Sequence, residues 1–189
     1  MSYMNEILEF NQKFVDSKQY EVFDTTRYPN KQLAILSCMD TRLTELLPAA
    51  LNLKNGDAKI IKNAGAMITH PFGSVMRSLL VAVYELEIQD ILVIGHYDCG
   101  MQGHDVSGLI EKMMERQVSQ EKMDMVQYAG IDIQKWLSGF DDVEVSVAET
   151  VKIIKNHPFI PDDVMVYGLL IDPKTGKLTP VEEKNECKE

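Results

Sequence analysis

Four short apolar runs constrain this chain more than any other feature: residues 32–37 (QLAILS), 59–62 (KIIK), 90–95 (DILVIG) and 164–171 (VMVYGLLI). They are too short for ordinary helices and are bounded by turn-forming or charged residues, so they read as buried strands. The segments between them carry helical spacing. Residues 4–15 form an amphipathic pattern with Ile7, Leu8, Phe14 and Val15 on one side. Leu43, Leu46, Leu47, Ala50 and Leu51 follow the first run, with Pro48 predicting a helix start or restart near it. Residues 74–86 are apolar nearly all round, which predicts deep burial. Val106, Leu109, Ile110 and Met113 mark a further helix, and residues 119–136 are weakly patterned. Ser146 and Glu149 have the spacing of a capping box for a helix through Val147, Val151 and Ile154, which His157-Pro158 ends. A turn at 172–176 allows 177–181 to pair back as an edge strand. The charged residues 182–189 are expected to fray.

Apolar strands alternating with helices predict an α/β fold, a mostly parallel sheet with an antiparallel edge strand and helices on both faces. A length of 189 residues fits one domain, 1–189. In such sheets, sites form beyond the carboxyl ends of the strands at a switch in strand order. The first run ends at Cys38-Met39-Asp40-Thr41-Arg42, and the third ends at His96-Tyr97-Asp98-Cys99-Gly100.

Those two ends carry the chemistry. Cys38, His96 and Cys99 are the donor types that bind zinc, and three protein ligands leave a fourth position open, as catalytic sites do. Asp40, Asp98 and Cys187 are the candidate fourth ligands. Asp40 and Arg42, two residues apart, can form a bidentate ion pair that keeps the carboxylate ionised and oriented. Taken singly, a buried Cys is usually a small core residue; the conjunction of two Cys and one His at two strand ends points to a metal. His104 follows the same loop and is placed to relay protons from the site, but a histidine in a polar, Gly-containing loop is more often simply solvated. His70 and His157 precede prolines and are expected in turns or at helix ends.

Charge and cysteine count narrow the classes. The formal net charge is -10, which argues against nucleic acid and against anionic membrane surfaces. Three cysteines, an odd number, do not suggest a disulfide framework. Residues 1–10 have no apolar signal core, and no stretch is long enough to span a bilayer. The expectation is a cytoplasmic chain with reduced thiols.

The motif Cys38-x-Asp40-x-Arg42, followed by His96-x-x-Cys99, resembles the β-class carbonic anhydrases. The contexts Ser-Cys-Met-Asp-Thr-Arg, Lys-Asn-Ala-Gly and Gly-His-Tyr-Asp-Cys-Gly-Met strengthen the resemblance, which runs from about Gln32 to Met101. The chain resembles the small, minimal branch of that family. The resemblance implies a sheet of order 2-1-3-4, one zinc ion per chain on Cys38, His96 and Cys99, and an Asp40–Arg42 dyad. It also implies reversible hydration of carbon dioxide to bicarbonate by hydroxide generated at the zinc, with backbone near Gly65 bordering the substrate pocket. Assembly as a homodimer or a multiple of dimers is implied, with helix 4–15 packing on the partner. In a closed state of such sites Asp40 becomes the fourth zinc ligand. Lys62 stands where the family often has Arg, and Tyr97 where it often has a small residue. The sequence leaves two rivals: a hydrolase of carbon disulfide or carbonyl sulfide on the same fold, and a non-catalytic zinc scaffold closed by two Cys, one His and one Asp.

Overall fold

The computed structural model describes residues 2–182. In chain order the elements are α1 (Tyr3–Asp16), a 3-10 turn (Gln19–Phe23), β1 (Leu33–Cys38), α2 (Leu43–Ala50), β2 (Ala58–Asn63), a 3-10 turn (Ala64–Ala66) and α3 (Ser74–Leu86). They continue with β3 (Asp90–His96), α4 (Val106–Glu115), α5 (Gln120–Tyr128), α6 (Ile133–Leu137), α7 (Val143–Lys155), β4 (Met165–Ile171) and β5 (Leu178–Val181). The strands form one sheet of order β2-β1-β3-β4-β5. β1 pairs in parallel with both β2 and β3, β3 pairs in parallel with β4, and β5 closes the edge antiparallel to β4. This is the predicted order with the predicted edge strand. The chain leaves β1 toward β2 on one side and returns to β3 on the other, so the switch point lies between the ends of β1 and β3.

The strands are apolar because both faces are covered. On one face Ala34, Leu36, Ile91 and Val93 pack with Met76 and Leu79 of α3 and Val147, Val151 and Ile154 of α7. On the other, Ile35, Ile94 and Ile171 pack with Leu43 and Leu47 of α2. A single eight-residue helix is a small cover. Ile60 and Tyr167, in register with Ile35 and Leu92 on that face, remain 41% and 46% exposed.

Three helix expectations are corrected. α3 is buried on one face only, since Val81 and Tyr84 are exposed; among the described residues nothing covers that outer side. α2 begins at Leu43 and runs through Pro48, which falls in the last turn, where the missing N–H interrupts little of the helix. α7 begins four residues before Val147, capped by Asp142, whose carboxylate accepts from the Val145 amide at 2.9 Å. Ser146 therefore sits buried inside the helix and is not its cap. α1 is present as expected, but none of its residues is buried. It touches its own chain through the Phe14 and Phe23 rings, 6.4 Å apart. The expected frayed tail, apart from Glu182, lies outside the described residues.

Glycine lets α7 approach the strands that position the site. A Cβ at Gly95 would lie 2.6 Å from Val147 Cγ2 and 3.0 Å from Val143 Cγ2. Replacing Gly95 with Ala overpacks this contact. We expect a loss of about 1–3 kcal/mol in urea-induced unfolding; unchanged stability would show that α7 shifts freely on the sheet.

Candidate metal centre

Cys38 is the last residue of β1 and His96 the last of β3. Parallel pairing of neighbouring strands, with Ser37 opposite Ile94, sets the two ends side by side. The chain then turns at Tyr97 and Asp98, which brings Cys99 back to the same point. Among the described residues, Cys38, His96 and Cys99 are the one group whose donor atoms converge as metal ligands would, all within 4.8 Å of one another and all buried.

The donors fit a tetrahedral ion. With zinc–sulfur bonds of about 2.3 Å, two sulfurs at a tetrahedral angle stand about 3.8 Å apart. Cys38 Sγ and Cys99 Sγ are 3.9 Å apart, nearly twice the length of a disulfide bond, and both cysteines are free. His96 is 1% exposed. Its Nδ1 lies 2.8 Å from the Tyr97 carbonyl, to which it donates as N–H, so the lone pair resides on Nε2. Nε2 is buried and has no hydrogen-bond partner. An orphaned imidazole nitrogen facing two thiols is costly to bury unless a cation completes it.

Electrostatics at the two sulfurs differ. Burial raises Cys38, but a protonated His96 beside it and the amides of Gly65 and Asp40 outweigh that and bring it down to about 7; despite burial, the Cys38 sulfur and the Tyr97 carbonyl raise His96 in turn. Burial pushes Cys99 up to about 11; the Met101 amide opposes this, and the charge of Cys38 adds to it. Without a cation the pocket holds one thiolate and resists a second. Gly65 thus serves the site through its amide. It has φ +82°, where a side chain is strained. A Cβ there would meet Phe140, Met67 and Met101, so this side of the site is an apolar wall.

Asp40 and Arg42 meet as the spacing suggested. Arg42 donates from Nε to Asp40 Oδ1 at 3.0 Å and from Nη2 to Oδ2 at 2.8 Å. Hydrogen bonds from Arg42 hold the carboxyl down at about 2, so Asp40 is ionised at any working pH. Its Oδ2 lies 3.8 Å from His96 Nε2, at the margin of the donor group. Asp98, weighed as a fourth ligand, turns its carboxylate to Arg42 Nη1 instead, at 2.8 Å. Lys62 donates to the Cys38 carbonyl at 3.2 Å. Cys187 lies outside the described residues. His70 and His157 accept from the amides of Phe72 and Phe159, the turn role expected of them.

Sequence reasoning missed a brace. Phe140 donates its amide to the Met101 carbonyl at 3.1 Å and accepts from the Gly103 amide at 2.9 Å. The Gln102 side chain donates to the Asp141 carbonyl at 3.1 Å. Residues 139–141 therefore hold the loop after Cys99, and a side chain at Gly139 would run into the Met101 carbonyl. The glycine was its only sequence signal.

Comparisons with known proteins point to one family and fold. The family model described as "Carbonic anhydrase" matches residues 33–178. The chain is 54% identical over 178 residues to "Putative carbonic anhydrase YtiB" of Bacillus subtilis (strain 168), covering 94% of this chain and 95% of that one. It superposes on the crystal structure of β-carbonic anhydrase isoform I of Trichomonas vaginalis with a TM-score of 0.85 and 33% identity, covering 96% and 98% of the two chains. A carbon disulfide hydrolase of Acidithiobacillus thiooxidans is 27% identical over 158 residues, 80% of this chain and 77% of the relative.

The two sulfur values set the protons exchanged on metal binding. Near pH 8 the metal-free site holds the Cys38 thiolate and the Cys99 thiol, so binding one zinc ion should release at least the Cys99 proton, and more as falling pH protonates Cys38 and His96. Affinity should fall over the same range. Calorimetric titration in buffers of different ionisation enthalpy measures this; release of no protons would mean that the two sulfurs do not both reach the ion.

Proposed function

Because this chain belongs to the β-class carbonic anhydrase family, we propose that it catalyses the reversible hydration of carbon dioxide to bicarbonate and a proton, with one zinc ion per chain held by Cys38, His96 and Cys99. The observation that carries this reading is the buried, unpartnered Nε2 of His96 facing two thiols. Zinc on three protein ligands would supply, at its remaining position, a water acidified enough to act as a nucleophile.

The chain's own groups do the rest. The Tyr97 carbonyl fixes the His96 tautomer, and the amides of Gly65, Asp40 and Met101 offset charge on the sulfurs. Asp40, ionised and held by Arg42, accepts a hydrogen bond from the attacking water and so aims its lone pair. Met67, Met101 and Phe140, around Gly65, offer an apolar surface to a small neutral substrate. With two thiolates cancelling the ionic charge of zinc, the water is acidified less than on three histidines. Activity should therefore rise toward mildly alkaline pH.

The similarity to a carbon disulfide hydrolase favours a second reading, hydrolysis of carbon disulfide or carbonyl sulfide by the same attack. The same wall suits all three linear molecules, so the choice is made by rate.

The reading extends to assembly. α1 keeps its apolar side unburied, with Ile7, Leu8 and Phe10 exposed. We take it as an arm that packs on a second copy, giving a homodimer or a multiple of dimers of a single-domain chain. No helix among the described residues is long and apolar enough to cross a membrane. Two buried free thiols suit a reducing compartment, and we place the chain in the cytoplasm.

Stopped-flow measurement on the zinc-loaded chain should show carbon dioxide hydration that increases with pH and disappears on chelation. Arg42→Ala, which frees Asp40, should lower it about 10–100-fold. Full activity in that variant would remove the dyad from the mechanism. Faster turnover of carbon disulfide than of carbon dioxide would select the second reading, and zinc binding without turnover of any of the three would leave only a scaffold. Sedimentation of Phe10→Glu should show dissociation; an unchanged assembly would exclude α1 as the arm.

A further inference from the structure

Arg42 does more than pair with Asp40. Its main-chain amide and its Nε both donate to Asp40 Oδ1, at 2.8 and 3.0 Å, and Nη2 donates to Oδ2 at 2.8 Å. The outer part of the guanidinium reaches the other metal-ligand loop. Nη1 donates to Asp98 Oδ2 at 2.8 Å, and Nη2 also donates to the Asp98 carbonyl at 2.9 Å. Asp98 lies between His96 and Cys99 with φ 57°, a left-handed conformation that Asp and Asn tolerate better than most residues. That conformation turns its carbonyl and its carboxylate onto one guanidinium.

The Asp40 carboxylate has two competing destinations. One is the Arg42 fork; the other is a cation held by the three donors, since Oδ2 is already 3.8 Å from His96 Nε2. An arginine anchored only at its own backbone can swing away and release Asp40. One held at its far end as well cannot. We propose that Asp98 is a positioning residue that holds Arg42 in place and so keeps Asp40 turned away from the metal and free to orient the substrate water. This rests on the zinc site proposed above. The Asp98 side chain is 81% exposed, and exposed ion pairs are weak. The bias is therefore graded, roughly two- to five-fold in the population of the closed arrangement.

The test is the rate at which a chelator removes zinc from the full chain. Asp40 on the metal adds a fourth donor and slows release. Asp98→Gly removes the carboxylate but keeps the left-handed backbone and the carbonyl; Asp98→Asn keeps a side-chain oxygen acceptor. The glycine variant should release zinc roughly two- to five-fold more slowly than the parent, and the asparagine variant at close to the parent rate. The slowing should vanish when Asp40→Ala is added, as a double-mutant cycle requires. In the metal-free chain, the Arg42 Nε–H should exchange with solvent faster in Asp98→Gly. Unchanged or faster zinc release in Asp98→Gly, or slowing that persists with Asp40→Ala, overturns the proposal. General loosening of the site would speed release, the opposite sign. Because no turnover is measured, a chain that binds zinc and hydrates nothing would end the activity proposed above and leave this result standing.

Discussion

The parallel pairing of β1 with β3 is the constraint on which the rest of the molecule depends. Two strands that run the same way bring their carboxyl ends to one edge, and here those ends are Cys38 and His96. Parallel strands need long crossovers, and the crossovers must pack on the sheet, so both faces become core. The apolar runs, the glycine that admits α7 and the position of the candidate metal ligands are therefore parts of one arrangement. Cys99 needs no strand of its own; the turn at Tyr97 and Asp98 returns it to His96.

The buried donors create an electrostatic problem that the surroundings solve only in part. One sulfur is stabilised as thiolate by protonated His96 and two amides, while burial and that first charge hold the other as thiol. A doubly charged cation would stabilise both thiolates and take the lone pair of the neutral His96 ring. Around this centre the charged groups alternate in sign. Asp40 lies next to the donors, Arg42 next to Asp40, and Asp98 and the solvent lie beyond. The gradient runs from a buried, demanding site to a weakly held surface pair.

The sheet is covered unequally. α3 and α7 shield one face, whereas α2 alone shields part of the other and leaves Ile60 and Tyr167 open. The unburied apolar side of α1 and the bare outer side of α3 are further apolar surface that a single chain does not use. A sheet that is apolar on both faces yet incompletely covered is physically coherent if copies of the chain complete one another.

Much of this was legible in the residues, for reasons that can be named. β3 was readable because DILVIG has no other stable place than a two-sided core, and its end was marked by His96. The pairing of Asp40 with Arg42 was readable because their separation of two lets a fork reach a carboxylate locally. Where neighbours decide, reading failed. The composition of α3 suggested burial all round, but only the sheet side had a partner. Ser146 and Glu149 had capping spacing, but Asp142 offered a cap one turn earlier. Asp98, between two ligands, stood as one of three candidates for the fourth position; a left-handed backbone turned it to Arg42 instead. Local order and residue chemistry by themselves determined the strands, the donor set and the dyad, because these depend on short-range pattern. Only the tertiary structure decided which helix faces are buried, what braces the Cys99 loop and where Asp98 points, because those depend on groups that are distant in the chain and meet only once the sheet has formed.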